Sequence, residues 1–154
     1  PVRDTAEALG ISVDYKDETV ILKQAEPSIF IEKSSSVSFK GKTYTVKTAF
    51  PEDLSAYISL DGQSSGQDGL CLIKFEKGDK TANIGSFTLY EESEYDAMDP
   101  TQMPVPAEVY RKDGIVVGFT GIQDSVFDLG TEEAGLVEAY YSQKQNILKT
   151  FELI

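Results

Sequence analysis

Apolar and polar residues alternate through most of this chain, and the alternation breaks at a few points rich in glycine, proline or acids. Near the start, Ile11, Val13 and Tyr15 alternate with polar residues, Lys16-Asp17-Glu18 supplies a turn, and Val20 and Leu22 resume the pattern. A hairpin is expected there. Ahead of it, the helix formers Asp4 to Leu9 end at Gly10, the residue that takes the left-handed conformation at a helix C-terminus without steric cost. The run Gln24-Ala25-Glu26-Pro27-Ser28 then interrupts the alternation, because proline restricts its predecessor and cannot join a central ladder. This divides the chain into a helix-plus-hairpin appendage, residues 1–26, and a main domain, residues 27–154.

Within the main domain, residues 29–32 read as a short strand, and Val37, Phe39, Tyr44 and Val46 alternate about a Lys40-Gly41-Lys42 turn as a second hairpin. Pro51 closes it, and residues 52–57 suit one helical turn. Residues 61–69 contain no apolar side chain and three glycines, which marks an exposed and mobile connection. Residues 70–76 and 82–90 alternate with period two about Gly78-Asp79 and are expected to be central strands. Ser93 precedes a short helix as its cap, Pro100, Pro104 and Pro106 forbid regular structure, and Asp113-Gly114 joins strands at Val109-Tyr110 and residues 115–119.

The last element is a helix over residues 131–149. Thr131 can cap it, Glu132 and Glu133 oppose the positive end of its dipole, and Lys144 and Lys149 lie toward the negative end. Leu136, Tyr140, Ile147, Leu148 and Phe151 share one stripe, while Gly135 in the first turn argues for a start a few residues later. The fold class is therefore α+β: an antiparallel sheet of hairpins with the C-terminal helix packed on one face, plus the N-terminal appendage. So short an appendage cannot bury its own apolar residues, so Leu9, Val13, Val20 and Leu22 are expected to pack on the main domain or on a second copy of the chain.

Length and composition fit one domain with a small appendage. The chain has 154 residues, 40% hydrophobic, with eight Tyr and eight Phe, enough to bury roughly 70% of its unfolded surface. Lys and Arg number 14 against 26 Asp and Glu, a net charge of −12, which disfavours nucleic acid and anionic membrane surfaces. No apolar run approaches the roughly 18 residues of a membrane span, so no membrane insertion is expected. The chain opens on Pro1 and reads as an internal start, which leaves room for a signal peptide or a further domain ahead of it.

Histidine is absent, and Cys71 is the single cysteine. These two facts remove Ser-His-Asp and Cys-His chemistry, internal disulfides and multi-cysteine metal sites. Cys71 lies in the apolar run Leu70-Cys71-Leu72-Ile73, where it reads as a small core residue in preference to a lone nucleophile. Paired carboxylates can hydrolyse glycosides without histidine, although 26 acids make pairs common on a solvated surface. The cluster Glu91, Glu92, Glu94, Asp96 and Asp99 reads as a solvated acidic edge, with weak calcium attraction as the alternative. A calcium loop starting at Asp61 is rejected: Gly66 fits the sixth position, but Gln63 stands third and Leu72 stands where a bidentate glutamate is required. Asp124 and Asp128 lie four apart before the last helix and read as plain solubility. Lys33, Lys40, Lys42 and Lys47 make one hairpin basic, either to discourage edge pairing or to meet a partner. No catalytic residue, no cofactor and no stoichiometric transition metal are assigned; with one thiol and the thioethers Met98 and Met103, the chain offers copper no imidazole and few sulfurs.

Pro1-Val2-Arg3, Ala6-Glu7, Leu9-Gly10, Val13-Asp14-Tyr15 and Thr19-Val20-Ile21 resemble the closing half of the stalk domain named for the copper amine oxidase N-terminus, over residues 1–23. Val2 replaces the family's leucine and Tyr15 its tryptophan. The resemblance implies a secreted or cell-envelope protein of a Gram-positive bacterium, and it implies no copper, because the stalk is not the oxidase's catalytic domain. The remainder is similar in order of elements to Mog1/PsbP-like α+β domains, an architectural likeness that carries no function. The expected function is a non-catalytic extracytoplasmic interaction or scaffolding module that meets a protein or cell-wall component and self-associates through the appendage. A carboxylate-based carbohydrate-active enzyme is the alternative.

Overall fold

Tight turns in which two successive residues take positive φ close two of the hairpins of this protein. Lys40 and Gly41 have φ of 51° and 79°, and Asp113 and Gly114 have 54° and 81°, the mirror-image turn geometry whose twist matches that of the flanking strands. The computed structural model describes residues 12–16, 19–23, 29–121 and 126–154, the first two segments by backbone only. The expected helix over residues 4–9 and the boundary at residues 24–28 lie outside the described residues.

Strands β1 (Ser12–Lys16) and β2 (Thr19–Lys23) pair antiparallel as a hairpin of their own. Strands β3 (Phe30–Phe39) and β4 (Lys42–Pro51) form the second hairpin, followed by the single turn α1 (Glu52–Ser55) and by β5 (Ile58–Asp61). Next come β6 (Leu70–Lys77), β7 (Lys80–Glu91), the short helix α2 (Glu92–Asp96), β8 (Ala107–Lys112) and β9 (Ile115–Gly121). Helices α3 (Glu132–Ser142) and α4 (Lys144–Leu148) and the two-residue strand β10 (Glu152–Leu153) close the chain. The main strands form two antiparallel sheets, ordered β10-β4-β3 and β5-β6-β7-β9-β8. An α+β class follows, with mostly antiparallel sheet and a few short helices. No helix among the described residues is long and apolar enough to cross a membrane.

Both sheets contribute to one core because each strand alternates its side chains between faces. Val37, Phe39, Val46 and Phe50 come from the three-stranded sheet, and Ile73, Phe75, Ile84, Phe87 and Phe119 from the five-stranded one. Val137, Tyr140, Ile147 and Phe151 join them from the C-terminal segment. The Tyr140 ring lies 6.3 Å from that of Phe50, and Phe151 lies 4.8 Å from Phe87. The C-terminal segment is tied to β4 by hydroxyls: Thr48 and Thr150 both reach the Ile147 carbonyl, at 3.1 and 2.6 Å, and the Ala49 amide donates to Thr150 Oγ1 at 2.7 Å. Thr48 is fully buried, so this pairing removes a desolvation penalty as well as fixing the segment's register.

Three elements differ from the sequence expectation. Residues 30–32 of the expected strand 29–32 and residues 37–39 belong to one ten-residue strand, because Ser34, Ser35 and Ser36 hide its continuity while pairing in register with Lys47, Val46 and Thr45. Strand β5 had no signal, since Ile-Ser-Leu-Asp is too short to show alternation. The C-terminal helix is two helices: the chain turns at Gln143, whose φ and ψ are −97° and 4° and whose amide bonds back to Ala139 and Tyr140. Thr131 caps α3 as expected, accepting from the Ala134 amide at 3.2 Å, and the helix begins at Glu132 despite Gly135. Val137 is buried in α3, whereas Leu136 of the expected stripe is only half-buried.

Candidate functional site

Among the described residues, charged side chains converge at the connection after β5, which the sequence reads as exposed, at the acidic cluster of residues 91–99, and around Lys77. The first is the connection after β5. Asp61 Oδ2 meets Lys74 Nζ of β6 at 2.6 Å, while Oδ1 accepts from the amides of Gln63 and Ser64, each at 2.9 Å. Lys74, then Ser64 and Gln63, hold the Asp61 carboxyl well below the usual carboxylate range. The loop is further bonded to β3: the Gly62 amide donates to Ser35 Oγ at 2.9 Å, Gln63 Nε2 to the Ser36 carbonyl at 2.9 Å and the Gly69 amide to the Ser38 carbonyl at 2.7 Å. Asp68 accepts from the Lys40 amide at 3.1 Å. The expected mobile connection is therefore exposed but tied down along its length, and it occupies part of the edge of β3 that faces away from β4. Asp61, the first residue of the rejected calcium loop, is committed to a lysine.

The second place is the acidic cluster of residues 91–99. Sequence alone places no base within it, but folding brings two. Arg111 of β8 forks between Glu92 of α2 at 2.8 Å, Asp96 at 2.8 Å and Glu108 at 2.7 Å, and stacks over the Tyr95 ring. Lys40, from the β3–β4 turn, lies 3.7 Å from Glu94. The Arg111 bond holds Asp96 below the usual carboxylate range, and Thr101 does the same for Asp99 through its hydroxyl and amide. Helix α2 starts at Glu92, with Glu91 at the N-cap position making no side-chain cap bond, so Ser93 stands inside it and not before it. No group of three or more His, Cys, Asp or Glu able to hold a metal ion is present among the described residues. Arg111 was missed in sequence; its spacing of three from Glu108 on one short strand was the only local signal.

The four lysines of the β3–β4 hairpin do not share one patch. Lys47 lies 3.6 Å from Glu32 and Lys40 near Glu94, while their strand positions put Lys33 and Lys47 on opposite faces of the sheet. Of the remaining candidates, Asp124 lies outside the described residues, and Asp128 precedes α3, its carbonyl accepting from Thr131 Oγ1 at 2.7 Å.

Two shallow depressions flank Thr81. One, of 340 Å³, is lined by Asp79, Lys80, Val126, Phe127, Asp128, Thr131 and Glu133; the other, of 370 Å³, by Lys74, Phe75, Glu76, Ala82 and Asn83. Lys77 engages Glu132 at 3.4 Å and Glu133 at 3.8 Å on the rim of the first. Its acids can accept hydrogen bonds from hydroxyl or ammonium groups, and Phe127, edge-on to Phe75 at 5.4 Å, adds an apolar wall.

Cys71 is fully buried, and burial pushes its thiol up to about 12. At pH 8 its thiolate population is expected to be roughly three orders of magnitude below that of a free cysteine. A disulfide reagent should therefore leave the folded chain unmodified and label it promptly in denaturant; fast labelling without denaturant would show that β6 opens locally. No protein-family model, curated protein or solved structure gives a significant match to the chain.

Proposed function

We propose that the chain is a non-catalytic interaction or scaffolding module of an extracytoplasmic protein, secreted or in the cell envelope, that engages a protein or a cell-wall component. The observation that supports this most is what the organised carboxylates do. Asp61, Asp96 and Asp99 are each held ionised by a lysine, an arginine or threonine donors, and each fixes a loop or a helix. Glycoside hydrolysis by a carboxylate pair needs the reverse for one partner, a carboxyl kept protonated near neutral pH. The net charge of −12 disfavours nucleic acid as the partner.

The envelope location rests on the likeness of residues 1–23 to the stalk family, and on that reading residues 1–26 are a partial stalk-like module. Residues 27–154 are then the Mog1/PsbP-like part, with its C-terminal helical segment laid over one side of the sheet. Self-association runs through Leu9, Val13, Val20 and Leu22. Sedimentation velocity is expected to show a concentration-dependent larger species that Val20→Asp abolishes; a monomer at every concentration would remove this part of the proposal.

The alternative, a carboxylate-based carbohydrate-active enzyme, is favoured only by the first depression, where Asp79, Asp128 and Glu133 surround Phe127 and two threonines. Incubation with purified Gram-positive cell walls separates the two readings. The module is expected to release no reducing ends from acid to neutral pH. Release that Asp79→Asn or Glu133→Gln abolishes would establish the enzyme instead.

A further inference from the structure

We infer that residues 92–106 form a flap, latched by Arg111, over a small apolar patch on the outer face of the five-stranded sheet. The inference is independent of the functional reading above. In β9, Val117 and Phe119 point into the main core, so Val116 and Gly118 point to the opposite face. That face should be wet, yet Val116 has an exposure of 0% while standing outside the core cluster. What covers it is visible in its neighbours. Tyr90 of β7 and Arg111 of β8 flank Val116 in register, the Tyr95 ring lies 5.7 Å from Tyr90, and Pro106 lies against Gly118. A Cβ at Gly118 would come within 2.6 Å of Pro106 Cβ, so glycine is needed there for the flap to close.

Polar bonds join the packing of Tyr95 on Tyr90 and of Pro106 on Gly118 in holding the flap. None of the residues of α2 is buried, and a five-residue helix has no stability of its own. Its ties to the sheet are Arg111, which bonds Glu92 and Asp96 while Glu108 of its own strand holds the guanidinium, the Glu92 amide donating to the Gly114 carbonyl at 2.8 Å, and Lys40 near Glu94; within the flap the Tyr95 hydroxyl donates to the Pro106 carbonyl at 2.7 Å. Pro100, Pro104 and Pro106 prevent the segment from forming other regular structure. Releasing Arg111 therefore opens the flap and uncovers Tyr90, Val116 and Gly118, while the main core on the other face stays closed. Salt screens exposed pairs of this kind, and acid protonates the carboxylates that face the guanidinium, so both should release the latch.

Hydrogen exchange on the intact chain tests this. The amides of Ala97, Met98, Gln102 and Met103, all bonded within the flap, are expected to exchange roughly tenfold faster in Arg111→Gln, with β6 and β7 amides unchanged. Salt near 1 M should act in the same direction on the unmodified chain. Arg111→Lys should recover part of the protection, and Tyr95→Phe should lose less than Arg111→Gln. Unchanged exchange in the flap of Arg111→Gln would overturn the latch. Equal acceleration in β7 would overturn the flap, by showing that Arg111 supports the whole fold.

Discussion

Truncation of Phe87 to alanine is expected to cost about 3–5 kcal/mol of folding stability. Phe87 is fully buried on β7, a central strand of the five-stranded sheet, and faces Cys71 across the β6–β7 ladder. Its ring lies 4.8 Å from Phe151 and 5.8 Å from Phe119. Those neighbours belong to three separate parts of the chain: β6, β9 and the segment after α4. Two are pinned by ladder bonds, and Phe151 is pinned by the Thr48–Thr150 network beside it, so none can move far to fill the space a benzyl group leaves. The cost therefore approaches the full transfer and cavity terms. Urea unfolding of the variant beside Leu129→Ala checks it, because Leu129 is 89% exposed and its truncation should change stability by less than about 0.5 kcal/mol. A loss below about 1 kcal/mol at Phe87 would mean that the C-terminal segment is not seated in the core.

The strands that cross this core were legible because their signal is local. Residues 70–76 and 82–90 show period-two alternation about a glycine turn, which finds both strands, although the irregularity at Ile84 steps the pattern of β7 by one residue. The C-terminal helix showed its start, where Thr131 caps, but not its break, because nothing in Ser142-Gln143-Lys144 is a helix breaker; tertiary ties at Ile147, Thr150 and Phe151 bend the chain there. The charged contacts were less visible still. Asp61 meets Lys74 across thirteen positions and Arg111 meets Glu92 across nineteen, distances over which composition shows only an excess of acid. A sequence displays which charges exist, whereas the sheet register decides which of them neutralise one another. That is why the acidic edge read from residues 91–99 is a network with Arg111 inside it.

Loss of the Asp61 carboxylate is expected to be a damaging polar change, because it serves three donors at once. Asp61→Ala removes the acceptor of the Gln63 and Ser64 amides and leaves Lys74, which is half-buried, without its partner, at a cost of about 1–3 kcal/mol. Asp61→Asn keeps an oxygen for the two amides and loses only the charge, so it should lie between the alanine variant and the parent. The loop also needs Gly62, since a Cβ there would collide with the Ser36 carbonyl and lie 2.5 Å from Val37 Cγ2. The pH dependence identifies the charge as the cause. Lys74 first, then Ser64 and Gln63, depress the folded pKa of Asp61, so the folded state prefers the ionised form more than the unfolded chain does. Its contribution is complete above the unfolded value of about 4, and it is lost as pH falls through the lower folded value. The difference in stability between the parent and Asp61→Asn should accordingly be constant near neutral pH and shrink steadily below about pH 4. Urea unfolding at a series of pH values measures it. A difference that persists unchanged into strong acid would show that the carboxylate acts through hydrogen-bond geometry alone and that the Lys74 ion pair contributes nothing.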